Sequence, residues 1–202
     1  MFYRYITFIM SNNNIEIEIQ VSVENPRPLL EFLEKNGQFI SEAQQIDEYF
    51  TPAHEDYFAV RPIDEWLRLR QTNQGHSMAY KKWYRDEEGK SRYCDEYETK
   101  VGDLEKMRKI LSSLDCKSVV IVEKIRKTWT YGDYEIGIDT VKGLGDFVEV
   151  EYTGVSDGGD CKKITQGMLD LLKQLGCGKI TRNHNGYPFQ ILFPEEVMYE
   201  IQ

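Results

Sequence analysis

The segment Ile15 to Val23 reads IEIEIQVSV. Branched aliphatic residues alternate with Glu16, Glu18, Gln20 and Ser22, so the repeat is two residues and the segment is predicted as a strand with opposed faces. One face can pack on a core. The other sets two carboxylates and an amide in a row, and the habit returns further along. Arg68 and Arg70 share a strand face, as do Lys124 and Arg126, and Glu149 and Glu151, while Lys81 and Asp139 add single charges in neighbouring strands. Two arrangements accommodate such a pattern. An open sheet leaves its polar face in water, with the charges as solvated cross-strand pairs. A closed sheet lines a polar tunnel with them, and there unpaired charges are costly and call for ions or charged ligands.

The remaining punctuation defines the other elements. NPRPLLEFLEKNG is predicted as a helix, with Asn25 as N-cap, Pro26 at the first helical position, an apolar stripe of Leu29, Leu30 and Leu33, and Gly37 as its stop. Gln38 to Ile63 reads as irregular, broken by Pro52 and Pro62. WLRLRQT, SMAYKKWY and SRYCDEYETKV read as successive strands. A second helix begins at Asp103 and carries Leu104, Met107, Ile110, Leu111 and Leu114. Then come VVIVEKIRKTWTY, a turn at Gly132-Asp133, YEIGIDTV and DFVEVEYTG. Ile164, Met168, Leu171, Leu172 and Leu175 mark a third helix. The stretch from Gly186 to Gln202 has no clear period. The total is an α+β chain with about seven or eight antiparallel strands, the number at which a sheet can close into a small barrel.

Residues 1–14 are expected to be a disordered N-terminal extension ahead of a single domain over 15–202. The opening MFYRYITFIM is too short to span a bilayer and lacks the cleavage pattern of a signal peptide. A formal net charge of −9 speaks against binding nucleic acid or a membrane surface through the bulk field. Cys94, Cys116, Cys161 and Cys177 show no metal-binding spacing, so reduced thiols in a cytoplasmic protein are expected. His54, His76 and His184 have no partner spacing and are expected at the surface. Trp66, Trp83 and Trp129 are expected to be packing residues, and Gly143 and Gly145 to shape a turn.

A tunnel with carboxylates on one wall and cations on others suits a metal–polyphosphate complex. Mg²⁺ and Mn²⁺ take hard oxygen ligands, and Arg and Lys neutralise phosphate oxygens. The ordered set of motifs resembles the CYTH family, the triphosphate tunnel metalloenzymes that include class IV adenylyl cyclases and thiamine triphosphatases. The family's opening Glu-x-Glu-x-Lys stands here as EIEIQ. LRLR of Leu67 to Arg70 resembles its first basic strand, YKK around Lys81 its next, and VEKIRKTW its Lys-x-Arg pair. IDTVKGLGDFVEVE, Ile138 to Glu151, is most similar to the cyclase branch.

The resemblance implies a closed eight-stranded antiparallel β-barrel with helices packed outside, a divalent metal (Mg²⁺ or Mn²⁺) and a bound triphosphate. It makes Glu16, Glu18 and Glu149 the metal-ligand candidates. Arg70, Lys81, Lys124 and Arg126, with Arg68, become triphosphate contacts. Asp139 becomes an acidic tunnel residue with a metal or base role, and Glu98 and Glu151 tunnel carboxylates or cross-strand partners. The departure is Gln20, which offers a neutral amide where the family keeps a lysine; restoring the lysine is expected to strengthen the phosphate contact. The implied activity is cyclase-like, ATP to cAMP and pyrophosphate. Hydrolysis of inorganic or thiamine triphosphate, or non-catalytic binding of a nucleotide or polyphosphate, stays open beside it. A single-stranded nucleic-acid barrel would want exposed aromatics on a basic surface, and the acidic total speaks against it. A homodimer is compatible with all of these.

Overall fold

The computed structural model describes residues 15–155 and 160–202. The expected disordered extension over 1–14 lies outside the described residues.

Ten strands form one antiparallel sheet. They are β1 (Ile15–Val23), β2 (Gln38–Thr51), β3 (Glu65–Thr72), β4 (Gly75–Arg85), β5 (Ser91–Val101), β6 (Lys117–Tyr131), β7 (Tyr134–Val141), β8 (Gly145–Tyr152), β9 (Ile180–Asn183) and β10 (Tyr199–Ile201). Eight of them close on themselves in the order β1-β5-β4-β3-β2-β6-β7-β8, because β1 also pairs with β8 from Ile17↔Tyr152 to Val21↔Val148. Closure resolves the choice that the sequence left open: the charged strand faces point into a barrel.

β1 is the seam. Its contact with β5 covers only Ile15 and Glu16; β9 then takes the same edge, from Gln20↔Asn183 to Val23↔Ile180, and β10 extends β9. The C-terminal segment is thereby built into the barrel wall. It also supplies α4 (Gly186–Leu192), whose Tyr187 and Phe189 pack with Tyr49, Trp66, Val122 and Phe147. These side chains are the inward positions of β2, β3, β6 and β8 where the lining turns apolar, so α4 stoppers the bore there.

The outward faces carry the conventional core. Ile17, Ile19 and Val21 meet Leu29 and Leu33 of α1 (Arg27–Asn36) and Met168, Leu169 and Leu172 of α3 (Cys161–Gln174). α2 (Leu104–Ser113) lays Leu104 and Leu111 on Phe50, Leu69 and Val101, and its N-cap is Asp103, whose side chain accepts the Lys106 N–H. α1 starts at Arg27, one residue later than expected, so Pro26 rather than Asn25 holds the N-cap position; Asn25 still accepts the Arg27 N–H at 3.2 Å from outside the helix. Gly143 and Gly145 adopt φ of +82° and +104° in the β7–β8 turn, a left-handed region that a side chain disfavours.

One expectation fails outright. Residues 38–51 are not irregular but form the 14-residue strand β2. Its inward positions include Gln45 and Asp47 and its outward ones are mostly polar or exposed, so no apolar alternation announced it. A buried strand whose buried face is polar is invisible to a hydrophobicity period.

Packing of α3 on β1 carries stability that the outer face of β6 at Ile125 does not. Met168 is fully buried, whereas Ile125 is 48% exposed. Met168→Ala should cost about 2–5 kcal/mol in a urea titration, and Ile125→Ala less than about 1 kcal/mol. Equal losses would show that the two faces are packed alike.

Candidate active site

The bore encloses a cavity of about 600 Å³ lined on β1, β5 and β8 by Glu16, Glu18, Gln20, Glu96, Glu98, Glu149 and Glu151, and on β2, β3 and β6 by Asp47, Arg68, Arg70, Lys124 and Arg126, with Lys81 from β4. Every site residue expected from sequence except Asp139 lines it. Asp139 sits behind the lining, fully buried.

On the basic wall, two aspartates grip the cations from below. Asp47, on the unforeseen strand, takes Nε and Nη2 of Arg70 at 2.6 and 2.7 Å. Asp139 takes Nε and Nη2 of Arg126, each at 2.6 Å, and also receives Lys124 Nζ at 3.0 Å and the Tyr187 hydroxyl at 2.9 Å. Burial alone would raise the Asp47 carboxyl, but Arg70, Arg68 and Lys124 hold it well below the usual carboxylate range. Asp139 is likewise held down by Arg126 and Lys124 against its burial. With its oxygens committed in this way, Asp139 braces the cations. Among the described residues neither Arg70 nor Arg126 uses its Nη1 in a hydrogen bond; Arg70 is clamped along one edge and keeps the other for a ligand, whereas Arg126 Nη2 also lies 2.7 Å from Glu149 Oε1. Arg68 is held by Glu96 and Glu98 at 3.2 and 2.9 Å, with its buried Nε unpartnered. The Lys124 ammonium lies 5.0 Å from the Tyr187 ring centroid. Burial and the neighbouring Arg126 push Lys124 down to about 8.

The acidic wall is gathered round Lys81, whose Nζ lies 2.8 Å from Glu16, 3.6 Å from Glu18 and 3.3 Å from Glu96. Burial, with Glu18 and Glu96 beside it, holds the Glu16 carboxyl well above its ordinary value despite Lys81. Burial and Glu18 push Glu151 up to about 7. The Cys94 thiol donates to Glu16 Oε2 at 3.3 Å. Glu149 sets its Oε1 2.7 Å from Arg126, and its Oε2 accepts from Gln20 at 3.4 Å.

Among the described residues no three acidic, histidine or cysteine side chains converge as a ready metal cluster. The donor chemistry nevertheless fits a hard divalent cation. The wall offers carboxylate oxygens in excess of the single lysine that Glu16 and Glu18 share, and Glu149, paired through Oε1 with Arg126, lines the same cavity.

Several parts were not legible in the sequence. Glu96 was missed although it lies two residues before Glu98 on the same face. Asp47 went with β2. Tyr187 and Gln190 sit in the C-terminal stretch that carried no periodic signal, and Asn183 stands just before it. His184 corrects an expectation: its side chain is buried, its Nδ1 faces the Ser91 N–H and hydroxyl, and its Nε2 lies 3.2 Å from Glu200. It pins the β9–α4 link to β5 and β10, and burial beside Arg182 pushes it down to about 4. His54 is exposed and His76 half-buried. Trp66 and Trp129 are buried in apolar clusters, and Trp83 packs partly buried against the first of these.

A closed eight-stranded barrel whose bore sets an acidic wall against a basic one defines the triphosphate-tunnel class of proteins. The CYTH domain model matches residues 14–187, and the chain belongs to that family. A protein of Methanocaldococcus jannaschii, provisionally named an adenylate cyclase, is 37% identical over 166 residues, covering 82% of this chain and 91% of the relative. The structure of a Pyrococcus horikoshii protein superposes with a TM-score of 0.72 at 24% identity, over 89% of this chain and 99% of that one. A Hippeastrum protein, provisionally named an adenylyl cyclase and described as having a dominant triphosphatase activity, superposes with a TM-score of 0.59 at 18% identity over 89% and 95%. The two superpositions establish the shared fold.

The depressed Lys124 gives a test with a definite sign. Between about pH 8 and the ordinary lysine value of 10.5 the unfolded chain binds a proton that the folded chain does not, so this group's contribution to stability rises with pH there. Lys124→Met should therefore raise Tm over wild type most below pH 8, and the difference should shrink as pH climbs towards 10. A difference independent of pH would mean that Lys124 is not strained by its burial.

Proposed function

We propose that this chain is a divalent-metal-dependent enzyme acting on a triphosphate, with ATP cyclisation to cAMP and pyrophosphate as the leading reaction. One observation carries the reading. The clamped guanidiniums of Arg70 and Arg126, with Lys124 between buried aspartates, face a carboxylate wall across one cavity. That is a cradle for phosphate oxygens opposite a seat for a hard cation.

In this reading Arg70, Arg126 and Lys124, with Arg68 and Lys81, bind the phosphate chain. A divalent ion bound by Glu16, Glu18 and Glu149 would supply neutralisation of phosphate charge. The protein's own part is positioning: Asp47 and Asp139 fix the cations before the substrate arrives, so little reorganisation is needed at the reaction. Lys124, held near 8, can keep or release a proton close to neutral pH, and Asp139 orients it. The name of the Methanocaldococcus relative favours the cyclase; the activity described for the Hippeastrum protein favours a triphosphatase as the second reading. The free thiols of all four cysteines suit a cytoplasmic setting, and no described helix is long and apolar enough to cross a membrane. We read 15–202 as one CYTH-like domain.

Incubation of the purified protein with Mn²⁺ and ATP, inorganic triphosphate or thiamine triphosphate, followed by separation of cAMP, pyrophosphate and phosphate, distinguishes the reactions. cAMP with pyrophosphate supports the cyclase, and phosphate alone the hydrolase. Neither product, with triphosphate still bound, leaves a binder. Glu16→Gln, Glu18→Gln and Glu149→Gln should each weaken Mn²⁺ binding in the presence of triphosphate by about tenfold, the loss of one charge-assisted contact. Unchanged affinity in all three removes the acidic-wall site.

A further inference from the structure

Gln20 stands where the family keeps a lysine, and the structure surrounds it with other amides. Its Oε1 accepts from Asn183 Nδ2 at 2.5 Å and from Gln190 Nε2 at 3.3 Å, while its Nε2 donates to Glu149 Oε2 at 3.4 Å. Gln20, Asn183 and Gln190 are all buried. A side-chain amide can in general be placed either way round, because its two ends have the same shape. Here the direction is dictated by a backbone group. The Asn185 N–H can only donate, and it donates to Asn183 Oδ1 at 2.9 Å. The other end of Asn183 is therefore its NH₂, and that end faces Gln20. Only the carbonyl of Gln20 can receive it. From the other side Gln190 Nε2 faces the same Gln20 carbonyl while its Oε1 accepts the Tyr199 hydroxyl at 3.2 Å, a contact that agrees with this direction but, because a hydroxyl can also accept, does not dictate it.

We infer that Asn183, braced by Gln190, is a positioning residue that fixes the Gln20 amide with its N–H bonds towards Glu149 and the tunnel, so that position 20 is a hydrogen-bond donor without a net charge. The reading of the tunnel as a triphosphate site underlies this assignment. Two consequences follow. A lysine at position 20 would neutralise Glu149 from a second side, whereas the amide leaves Arg126 as its cationic partner and preserves the negative charge of the acidic wall. In addition, two donors converge on the position-20 acceptor, so an ammonium placed there would meet N–H groups. The residue at 183 thus selects the residue tolerated at 20, and the sequence expectation that Gln20→Lys strengthens triphosphate binding is reversed.

The test is a double-mutant cycle with inorganic tripolyphosphate and Mn²⁺ as the calorimetric probe. Gln20→Lys should weaken binding about tenfold, the scale of leaving buried donors unpaired. Asn183→Asp, of the same shape, removes the donor and turns the Gln20 carbonyl towards Glu149; it should also weaken binding, by about fivefold. Combined, the two changes set an ammonium against a carboxylate, and binding should return to within about threefold of wild type. Additive losses overturn the inference. A readout without ligand stands beside it. The Gln20 side-chain NH₂ signal in the ¹⁵N–¹H spectrum, identified by its loss in Gln20→Glu, should shift on Glu149→Gln and should cease to do so in the Asn183→Asp background. A shift that persists there overturns the inference as well. Should Asn183→Asp not fold, Gln190→Glu presents a carboxylate to the same Gln20 atom and carries both measurements. If tripolyphosphate does not bind wild type, the proposed function falls, and the spectrum still decides the orientation of Gln20.

Discussion

Everything in this barrel depends on how Asp139 is paired. It is fully buried, and an isolated carboxylate there would be prohibitive. Arg126, Lys124 and Tyr187 satisfy it from β6 and α4, and Asp47 does the same for Arg70 on the neighbouring strands. On the basic wall charge is thus admitted to the interior in matched groups on adjacent strands, β2 with β3 and β6 with β7. Such groups are weak evidence of stabilisation, since a well-packed apolar interior of similar volume often serves as well or better. The apolar work is done on the outward faces under α1, α3 and α2 and at the end of the bore that α4 stoppers. The rest of the bore is thereby free to be polar.

Pairing also leaves the cations oriented rather than quenched. A carboxylate holding Nε and Nη2 of an arginine fixes the plane of the guanidinium and directs its remaining edge. A ligand that meets such a group finds its donors already aimed, and most of the ordering entropy has been lost during folding. The acidic wall is less evenly matched. Lys81 serves Glu16, Glu18 and Glu96 together, and burial first, with neighbouring carboxylates adding to it, displaces Glu16 and Glu151 upward. The two walls therefore call for different occupants, an anion on one side and a cation on the other.

The C-terminal segment turns a barrel into a site. β1 leaves β5 after Glu16, and β9 fills the edge that this opens. That single change of partner brings Asn183 and Gln190 to Gln20 and Tyr187 to Asp139. His184, held between Ser91 and Glu200, locks the same segment to β5 and β10. Residues far from the Glu-x-Glu strand in sequence therefore set the orientation of its polar face.

The sequence by itself determined which side of most strands faces inward. Glu16, Glu18, Arg68, Arg70, Lys124, Arg126, Glu149 and Glu151 all fall in the bore, because alternation along an extended chain is a local property of the backbone. Helix ends were legible for the same reason: the Asp103 cap acts on an N–H three residues away. Only the tertiary structure decided which carboxylate meets which cation. Those partners depend on closure and register, as with Gln20 and Asn183, which are 163 residues apart and opposed only because β1 changes neighbour midway. β2 escaped notice because its buried face is polar, and Asp47 with it. Local periodicity reports burial of apolar groups; it carries no signal for a charge buried against a partner that another strand supplies.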